Sequence, residues 1–331
     1  MIPNANALLE RLRAVHAATR DAVVAATEAA ALEDLSAEVG HEAGDTIYAI
    51  DRVSEAKLLD LFGALADEWP CVLIAEGLGD DGVAVLTPDG REESAVVRII
   101  VDPIDGTRGL MYQKRAAWVL TGVAPNNGSD TRLGDIELAL MTEVPLVKQH
   151  LSDSFWAIRG EGAHGERYNR LTGASAPLAP RPSGAATIAG GYGQISRFFP
   201  GNRAQLAAID DALVRAILGP PIAGRADLFE DQYICSGGQI AELLLGHDRW
   251  VADLRPLFPV LGADGQPLAP LCCHPYDLCT ELVAREAGVI ITDARGAPLD
   301  APLDVHTGMA WVGYANAQLR DLVAPALQRL L

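Results

Sequence analysis

The chain has 331 residues, enough to bury a large core in two domains or two packed halves. Its formal net charge is −18, and so acidic a surface repels nucleic acid and anionic membranes, so we expect neither as a partner. The five cysteines are an odd number in a long chain, which favours reduced thiols in the cytoplasm over a disulfide framework.

Helical and extended patterns alternate in the first hundred residues. Apolar residues at helical spacing predict a helix over 4–33, intact or with one break, capped by Asn4 or Asn6. The next predicted elements are a short strand at 47–50 leading to Asp51, a helix at 56–69 and a buried strand at 71–75 delivering Glu76. The Gly- and Asp-rich stretch 77–93 is predicted to be an exposed loop.

Strand-like runs then cluster, which predicts an α+β half with a largely antiparallel sheet. They lie at 96–101, 117–123, 135–141 and 154–158. The Pro-rich stretch 175–183 is predicted to link this half to an α/β half. The elements predicted for that half are strands at 186–190, 249–253 and 289–292 and helices at 203–217, 237–246 and 278–287. We find no apolar run of about 18 residues, the length that a membrane-spanning helix needs.

Two carboxylates three residues apart follow a β-rich run, in the segment Asp102-Pro103-Ile104-Asp105-Gly106-Thr107. A residue before proline favours extended geometry, so the Asp102 carboxylate should project from the end of the strand. Pro103 lacks an N–H, which leaves the Ile104 carbonyl able to face outward, and Asp105 adds a second carboxylate. Oxygen ligands of this kind are those that Mg²⁺ prefers.

The end of the same segment suits a phosphate. Gly106 and Thr107 can begin a helix, whose free N–H groups and dipole attract an anion. Two divalent cations beside a phosphate stabilise the attacking and the leaving oxygen of an in-line displacement. A simple turn is the alternative, because Asp-Pro and Asp-Gly are common turn pairs, but five specified positions after a strand favour the metal interpretation. The pattern therefore predicts a magnesium-dependent phosphomonoesterase.

The segment resembles the signature of the inositol monophosphatase family, within the superfamily that includes fructose-1,6-bisphosphatases and 3′-phosphonucleotide phosphatases. Other segments agree with it in order and approximate spacing. They are Tyr48-Ala49-Ile50-Asp51, Ile74-Ala75-Glu76, Pro275-Tyr276-Asp277 and Glu286-Ala287-Gly288. Arg159-Gly160-Glu161-Gly162-Ala163 is similar to a Gly-rich turn that the family places between its halves, and the resemblance runs from about 45 to 316.

The resemblance implies the metal ligands. Glu76, Asp102 and the Ile104 carbonyl would hold a first Mg²⁺, while Asp102, Asp105 and Asp277 would hold a second. Glu76 would also help to bind a third, weaker ion. Because Li⁺ can replace one of these ions, the resemblance also implies inhibition by lithium.

It also implies how a small phosphorylated sugar or inositol would be bound and hydrolysed. Asp51 and Thr107 would orient and deprotonate the attacking water, and the amides of Gly106 and Thr107 would receive the phosphate. Asp105 and Asp277 would contact the substrate as well.

The fold implied by the resemblance is a layered α/β/α/β/α sandwich of α+β and α/β type. Its two packed halves would be an N-terminal one, 1–170, carrying most metal ligands, and a C-terminal one, 180–331, contributing Asp277 and substrate contacts. The active site would lie between them, and the protein would be a homodimer.

Two departures from the family pattern leave the substrate open. Gly77 stands where a second Glu is common, and the insert 257–268 leaves a substrate-contacting Glu upstream of Asp277 without a counterpart. A fructose-1,6-bisphosphatase and a 3′-phosphonucleotide phosphatase are therefore alternatives to an inositol or sugar phosphatase. A non-enzymatic partner-binding protein with the same fold is a more distant one.

Other motifs have both a functional and an ordinary interpretation. Cys272-Cys273-His274 with Cys279 can hold zinc or simply pack in the core. Gly190-Gly191-Tyr192-Gly193 can be a nucleotide loop or a turn. Arg197 and Arg203 can meet a second anionic group of a substrate or be surface cations, and Ser236 is a candidate helix cap.

Overall fold

The computed structural model describes residues 1–29, 38–42, 45–48, 59–78, 81–268 and 271–331, with the backbone alone for 38–42 and 45–48. Seven α-helices lie in these residues. They are α1 (Ala5–Ala29), α2 (59–66), α3 (Thr107–Met111), α4 (Arg203–Leu218), α5 (Ser236–Leu244), α6 (Glu281–Glu286) and α7 (Ala317–Gln328).

The strands form a hairpin and two sheets. The hairpin pairs β1 (Glu38–Glu42) with β2 (Asp45–Tyr48). The strands of the first sheet are β3 (Cys71–Ala75), β4 (Val83–Leu86), β5 (Val97–Asp105), β6 (Ala117–Pro125), β7 (Leu138–Val144), β8 (Leu151–Ile158), β9 (Ala163–Asn169) and β10 (Ser175–Pro177). Those of the second are β11 (Gly191–Ile195), β12 (Leu228–Phe229), β13 (Asp248–Asp253), β14 (Ile290–Asp293) and β15 (Trp311–Tyr314).

The first sheet has the order β10-β9-β8-β7-β6-β5-β3-β4 and is antiparallel except between β3 and β5. All residues of β3 and β5 are buried, because helices cover both faces of the sheet. The second sheet has the order β12-β11-β13-β15-β14, with β11 parallel to its neighbours and β15 antiparallel to its own.

Packing arranges these elements in five layers, so the sequence prediction of a mixed α/β sandwich is confirmed. Helix α1 packs on β6 and β7, and α5 packs on β6 from the first sheet and on β13 and β15 from the second. Helix α6 also contacts strands of both sheets, and α4 and α7 pack together outside the second sheet. The division of the chain into halves at 170–180 stays a prediction.

Several predicted boundaries were wrong. The stretch 77–93 contains β4, and the predicted linker begins with β10, which pairs with β9. The strand predicted at 186–190 lies at Gly191–Ile195 instead. There Gly191 lies under the Arg249 side chain and Gly193 under Trp250, so packing selects glycines that strand propensity disfavours.

The Gly-rich turn at 160–162 connects β8 to β9 within the first sheet. Gly160 and Gly162 both have positive φ, 81° and 82°. Their amides donate to the two carboxylate oxygens of Glu286, each at 2.9 Å, which ties α6 to the first sheet. Among the described residues, no helix combines the length and apolar character needed to cross a membrane.

Candidate metal centre

Glu76 and Asp102 leave neighbouring strands of the first sheet at the same edge. Strands β3 and β5 run parallel with Ala75 paired to Val101, so the residues that follow lie side by side. Burial is the main cause of the raised pKa of Asp102, and repulsion from the Glu76 carboxylate adds to it. Glu76 itself is exposed, whereas Asp102 is buried.

A bulge in β5 brings Asp105 beside Asp102. Residues three apart in a regular strand face opposite sides of a sheet. Here Asp102 pairs with Leu120 and Asp105 with Trp118, so three steps along β5 match two along β6. One extra residue in a strand re-aims the side chains around it. Both carboxylates consequently point into one site, with 4% and 7% exposure.

Asp277 comes from the turn before α6, at the other side of the site. The His274 amide donates to Oδ2 of Asp277 at 2.7 Å, which fixes the carboxylate. The Tyr276 ring stacks on His274 with 5.3 Å between centroids, and its hydroxyl lies 3.2 Å from Nδ1 of that ring. The aromatic residue that precedes Asp277 in the motif thus supports the loop that holds the carboxylate.

Asp102, Asp105 and Asp277 converge, with one carboxylate oxygen of each within 4.8 Å of the others. Burial raises the pKa of Asp102 well above its ordinary value, and repulsion from Asp105 and Asp277 adds to it. Burial and repulsion from Asp277 raise the pKa of Asp105 to about 8. The hydrogen bond from the Gly237 amide acts in the opposite direction and lowers it. Crowded acidic oxygens in a buried site fit a hard divalent cation, which would neutralise their repulsion.

Other predicted site residues adjoin this cluster. Thr107 begins α3, and its hydroxyl donates to the Ile104 carbonyl at 2.9 Å. Gly106 precedes it with φ 93°, a value that favours glycine. The predicted catalytic residue Asp51 lies outside the described residues, so its role stays a prediction.

The structure adds two contacts to Asp105 that the sequence did not predict. The Gly237 amide donates to Oδ2 of Asp105 at 2.5 Å, and the Cys235 thiol donates to its backbone carbonyl at 3.2 Å. Cys235, rather than the predicted Ser236, caps α5 by accepting a hydrogen bond from the Gly238 amide. The small residues at 236–238 were the sequence signal for these contacts, since they allow the backbone of α5 to approach another residue closely.

Asp253, the acidic residue at the end of β13, forms an ion pair with an arginine. Arg255 donates to Asp253 through Nε at 2.9 Å, and both side chains are buried. The Cys273 thiol also donates to Asp253, at 3.2 Å, and lies 3.1 Å from the Ser236 hydroxyl. Within the described residues, Cys273 belongs to no cluster of three or more His, Cys, Asp or Glu ligands, which does not favour the zinc alternative.

The two arginines considered for a second anionic group have partners within the protein. Arg197 forms ion pairs with Asp210 and Glu230. Arg203 donates to the carbonyls of Phe198 and Phe199. These contacts favour the structural interpretation of both side chains.

The fold is that of a class of α/β proteins that includes known phosphatases. It matches the structure of fructose-1,6-bisphosphatase from Leishmania major with a TM-score of 0.69 and 13% identity, covering 96% of this chain and 94% of that one. It matches the extragenic suppressor protein SuhB from Bartonella henselae with a TM-score of 0.64 and 14% identity, covering 98% and 99%. No family model matches the sequence.

A curated relative from Methanothermobacter thermautotrophicus is named fructose-1,6-bisphosphatase/inositol-1-monophosphatase. It is 23% identical over 282 residues, which cover 80% of this chain and 85% of that protein. The resemblance to the inositol monophosphatase and fructose-1,6-bisphosphatase superfamily, predicted from the motifs, is thereby confirmed.

Proposed function

We propose that this protein is a Mg²⁺-dependent phosphomonoesterase that hydrolyses a small sugar or inositol phosphate. The observation that carries the proposal is the convergence of Asp102, Asp105 and Asp277 within 4.8 Å. The similarity to proteins named as phosphatases supports the same reaction class. Mg²⁺, when bound, would polarise the phosphate and stabilise the charge that develops on its oxygens.

The ligands proposed for the cation are Glu76, Asp102, the Ile104 carbonyl, Asp105 and Asp277. The carbonyl oxygen of Ile104 has two lone pairs, so it can accept from Thr107 and still face a cation. Glu76 is exposed and next to Asp102, which suits a weaker outer ion.

Thr107 is proposed to orient the attacking water. Its hydroxyl donates to the Ile104 carbonyl at 2.9 Å, which fixes the hydroxyl oxygen beside a proposed ligand of the cation. Asp51 is proposed to receive the water proton, while the amides of Gly106 and Thr107 hold the phosphate in place. The water oxygen then attacks phosphorus as the bond to the sugar oxygen breaks, and the departing sugar oxygen takes up a proton from solvent.

A substrate panel tests the proposal. Phosphate release is measured from inositol 1-phosphate, fructose 1,6-bisphosphate and 3′-phosphoadenosine 5′-phosphate, with Mg²⁺, with EDTA and with added Li⁺. We expect Mg²⁺-dependent release that Li⁺ inhibits. The name of the curated relative makes fructose 1,6-bisphosphate the second candidate substrate. No release from any compound, with Mg²⁺ binding demonstrated, would favour a partner-binding protein.

Asp105→Asn tests the assignment of the ligands. Loss of even an outer partner of a metal ligand costs about 10- to 100-fold, so loss of a ligand should lower kcat at least about 100-fold. Asp248→Asn is a matched control, because Asp248 is also buried but lies outside the carboxylate cluster. A near-normal kcat for Asp105→Asn would contradict the assignment.

A further inference from the structure

Cys235 links two elements that meet at the metal centre. Its thiol donates to the Asp105 carbonyl and accepts from the Gly238 amide, both at 3.2 Å. One S–H donor and one sulfur lone pair satisfy this arrangement. The residue is buried, with 4% exposure, so both hydrogen bonds lie away from solvent.

The same residue packs against the turn that follows Asp105. A Cβ placed on Gly106 would lie 2.9 Å from the Cβ of Cys235 and 3.0 Å from its sulfur. The turn therefore has little freedom to move toward α5. Two residues after Cys235, the Gly237 amide donates to the Asp105 carboxylate itself at 2.5 Å.

These contacts form a chain from the helix cap to the proposed ligand. The thiol fixes the start of α5 through Gly238 and fixes the backbone of Asp105 through its carbonyl. Fixing both ends sets where the Gly237 amide meets the carboxylate, and thus which Asp105 oxygen faces Asp102 and Asp277. Partners that orient a ligand from behind commonly change metal affinity by about 10- to 100-fold.

We propose that Cys235 is a positioning residue, which orients Asp105 for divalent cation binding by joining its backbone to the N-terminal turn of α5. This inference rests on the proposed function for the cation that the site takes. The inference goes beyond the proposed function, because it assigns a role to a thiol that touches neither substrate nor cation.

Mg²⁺ affinity, measured by calorimetry, tests the inference without reference to turnover. Cys235→Ala removes both hydrogen bonds and should weaken Mg²⁺ binding about tenfold or more. Cys235→Ser keeps a donor and an acceptor and should stay within about threefold of the wild type. If the alanine variant does not fold, Cys235→Val and Cys235→Thr make the same comparison, because they share a shape and differ in the hydroxyl.

Cys71→Ala is the matched control. Cys71 is fully buried at the start of β3, at the opposite end of the strand from Glu76, so its loss should cost stability without changing Mg²⁺ affinity. Equal affinities for folded Cys235→Ala and wild type, or equal weakening in Cys71→Ala, would overturn the inference, as would a wild type that binds no Mg²⁺. A wild type that binds Mg²⁺ but releases no phosphate would overturn the proposed function alone.

Discussion

Glu143 in β7 is a partly buried carboxylate outside the metal centre. Gln149 donates to one of its oxygens at 2.7 Å and the Asp153 amide to the other at 3.0 Å. Burial nevertheless raises the pKa of Glu143 from 4.5 to about 7. The folded protein therefore binds more protons at this residue than the unfolded chain does between those values, and stability falls as pH rises through the interval.

Glu143→Gln should remove this pH dependence. We expect its free energy of unfolding, relative to wild type, to rise between pH 5 and pH 8 by up to about 3 kcal/mol, since one pKa unit is worth about 1.4 kcal/mol. Chemical denaturation at several pH values measures the difference. Glu93→Gln, at an exposed position, should give a constant difference, and a constant difference for Glu143→Gln would contradict the expectation.

Part of the carboxylate cluster was predictable from local chemistry. Asp102 and Asp105 stand in one short segment after a strand, and the structure brings their carboxylates together. Cys235 was not predictable, because serine is the better statistical cap and the thiol acts through Asp105, far away in the sequence.

Helix α1 is held to the first sheet by a histidine. Nε2 of His16 lies 2.8 Å from the Thr121 hydroxyl and Nδ1 lies 3.0 Å from that of Thr142. Burial lowers the pKa of His16 to about 3 from 6.5. Between those values the unfolded chain binds more protons than the folded protein, so stability falls as pH falls through the interval.

His16→Leu should destabilise the protein by about 1–3 kcal/mol at pH 8, because threonine hydroxyls lose their buried partner. The difference in free energy of unfolding between the two proteins should narrow toward pH 5. The wild type loses stability as pH falls, because its folded state disfavours protonation of His16, and the leucine variant has no such group. Denaturant titrations at the two values check this. The exposed His150, replaced by Gln, should leave stability nearly unchanged at both. An equal gap at both pH values for His16→Leu would contradict the mechanism.

Whole elements were predictable where one local signal dominates. Cys71–Ala75 is a continuous apolar run, and the strand has those bounds. Strand β4 was missed because it has only four residues and lies in a stretch rich in Gly and Asp. The position of β11 was predicted five residues too early. Its glycines leave room for the side chains of Arg249 and Trp250, and these contacts are distant in the sequence, so no local pattern reveals them.

At the scale of the molecule, the proposed cation would join parts of the chain that are far apart. Asp102 and Asp105 lie on the first sheet, whereas Asp277 precedes α6, a helix that contacts both sheets. Without a counter-ion, burial disfavours the charged forms of Asp102 and Asp105 in the fold, and repulsion within the cluster adds to this; the unfolded chain is free of both effects.

Mg²⁺ should therefore raise the melting temperature of the wild type. A ligand that binds the folded state alone stabilises it by about 2.7 kcal/mol at a concentration 100 times its Kd. Asp277→Asn should melt higher than wild type in EDTA, because one repelling charge is gone, and should gain little from Mg²⁺. The asparagine can still accept the hydrogen bond from the His274 amide, which keeps the loop in place. Thermal denaturation of both proteins with EDTA and with Mg²⁺ measures these shifts. An equal gain from Mg²⁺ in both would mean that the cation binds elsewhere, and a lower melting temperature for Asp277→Asn in EDTA would mean that the carboxylates do not strain the fold.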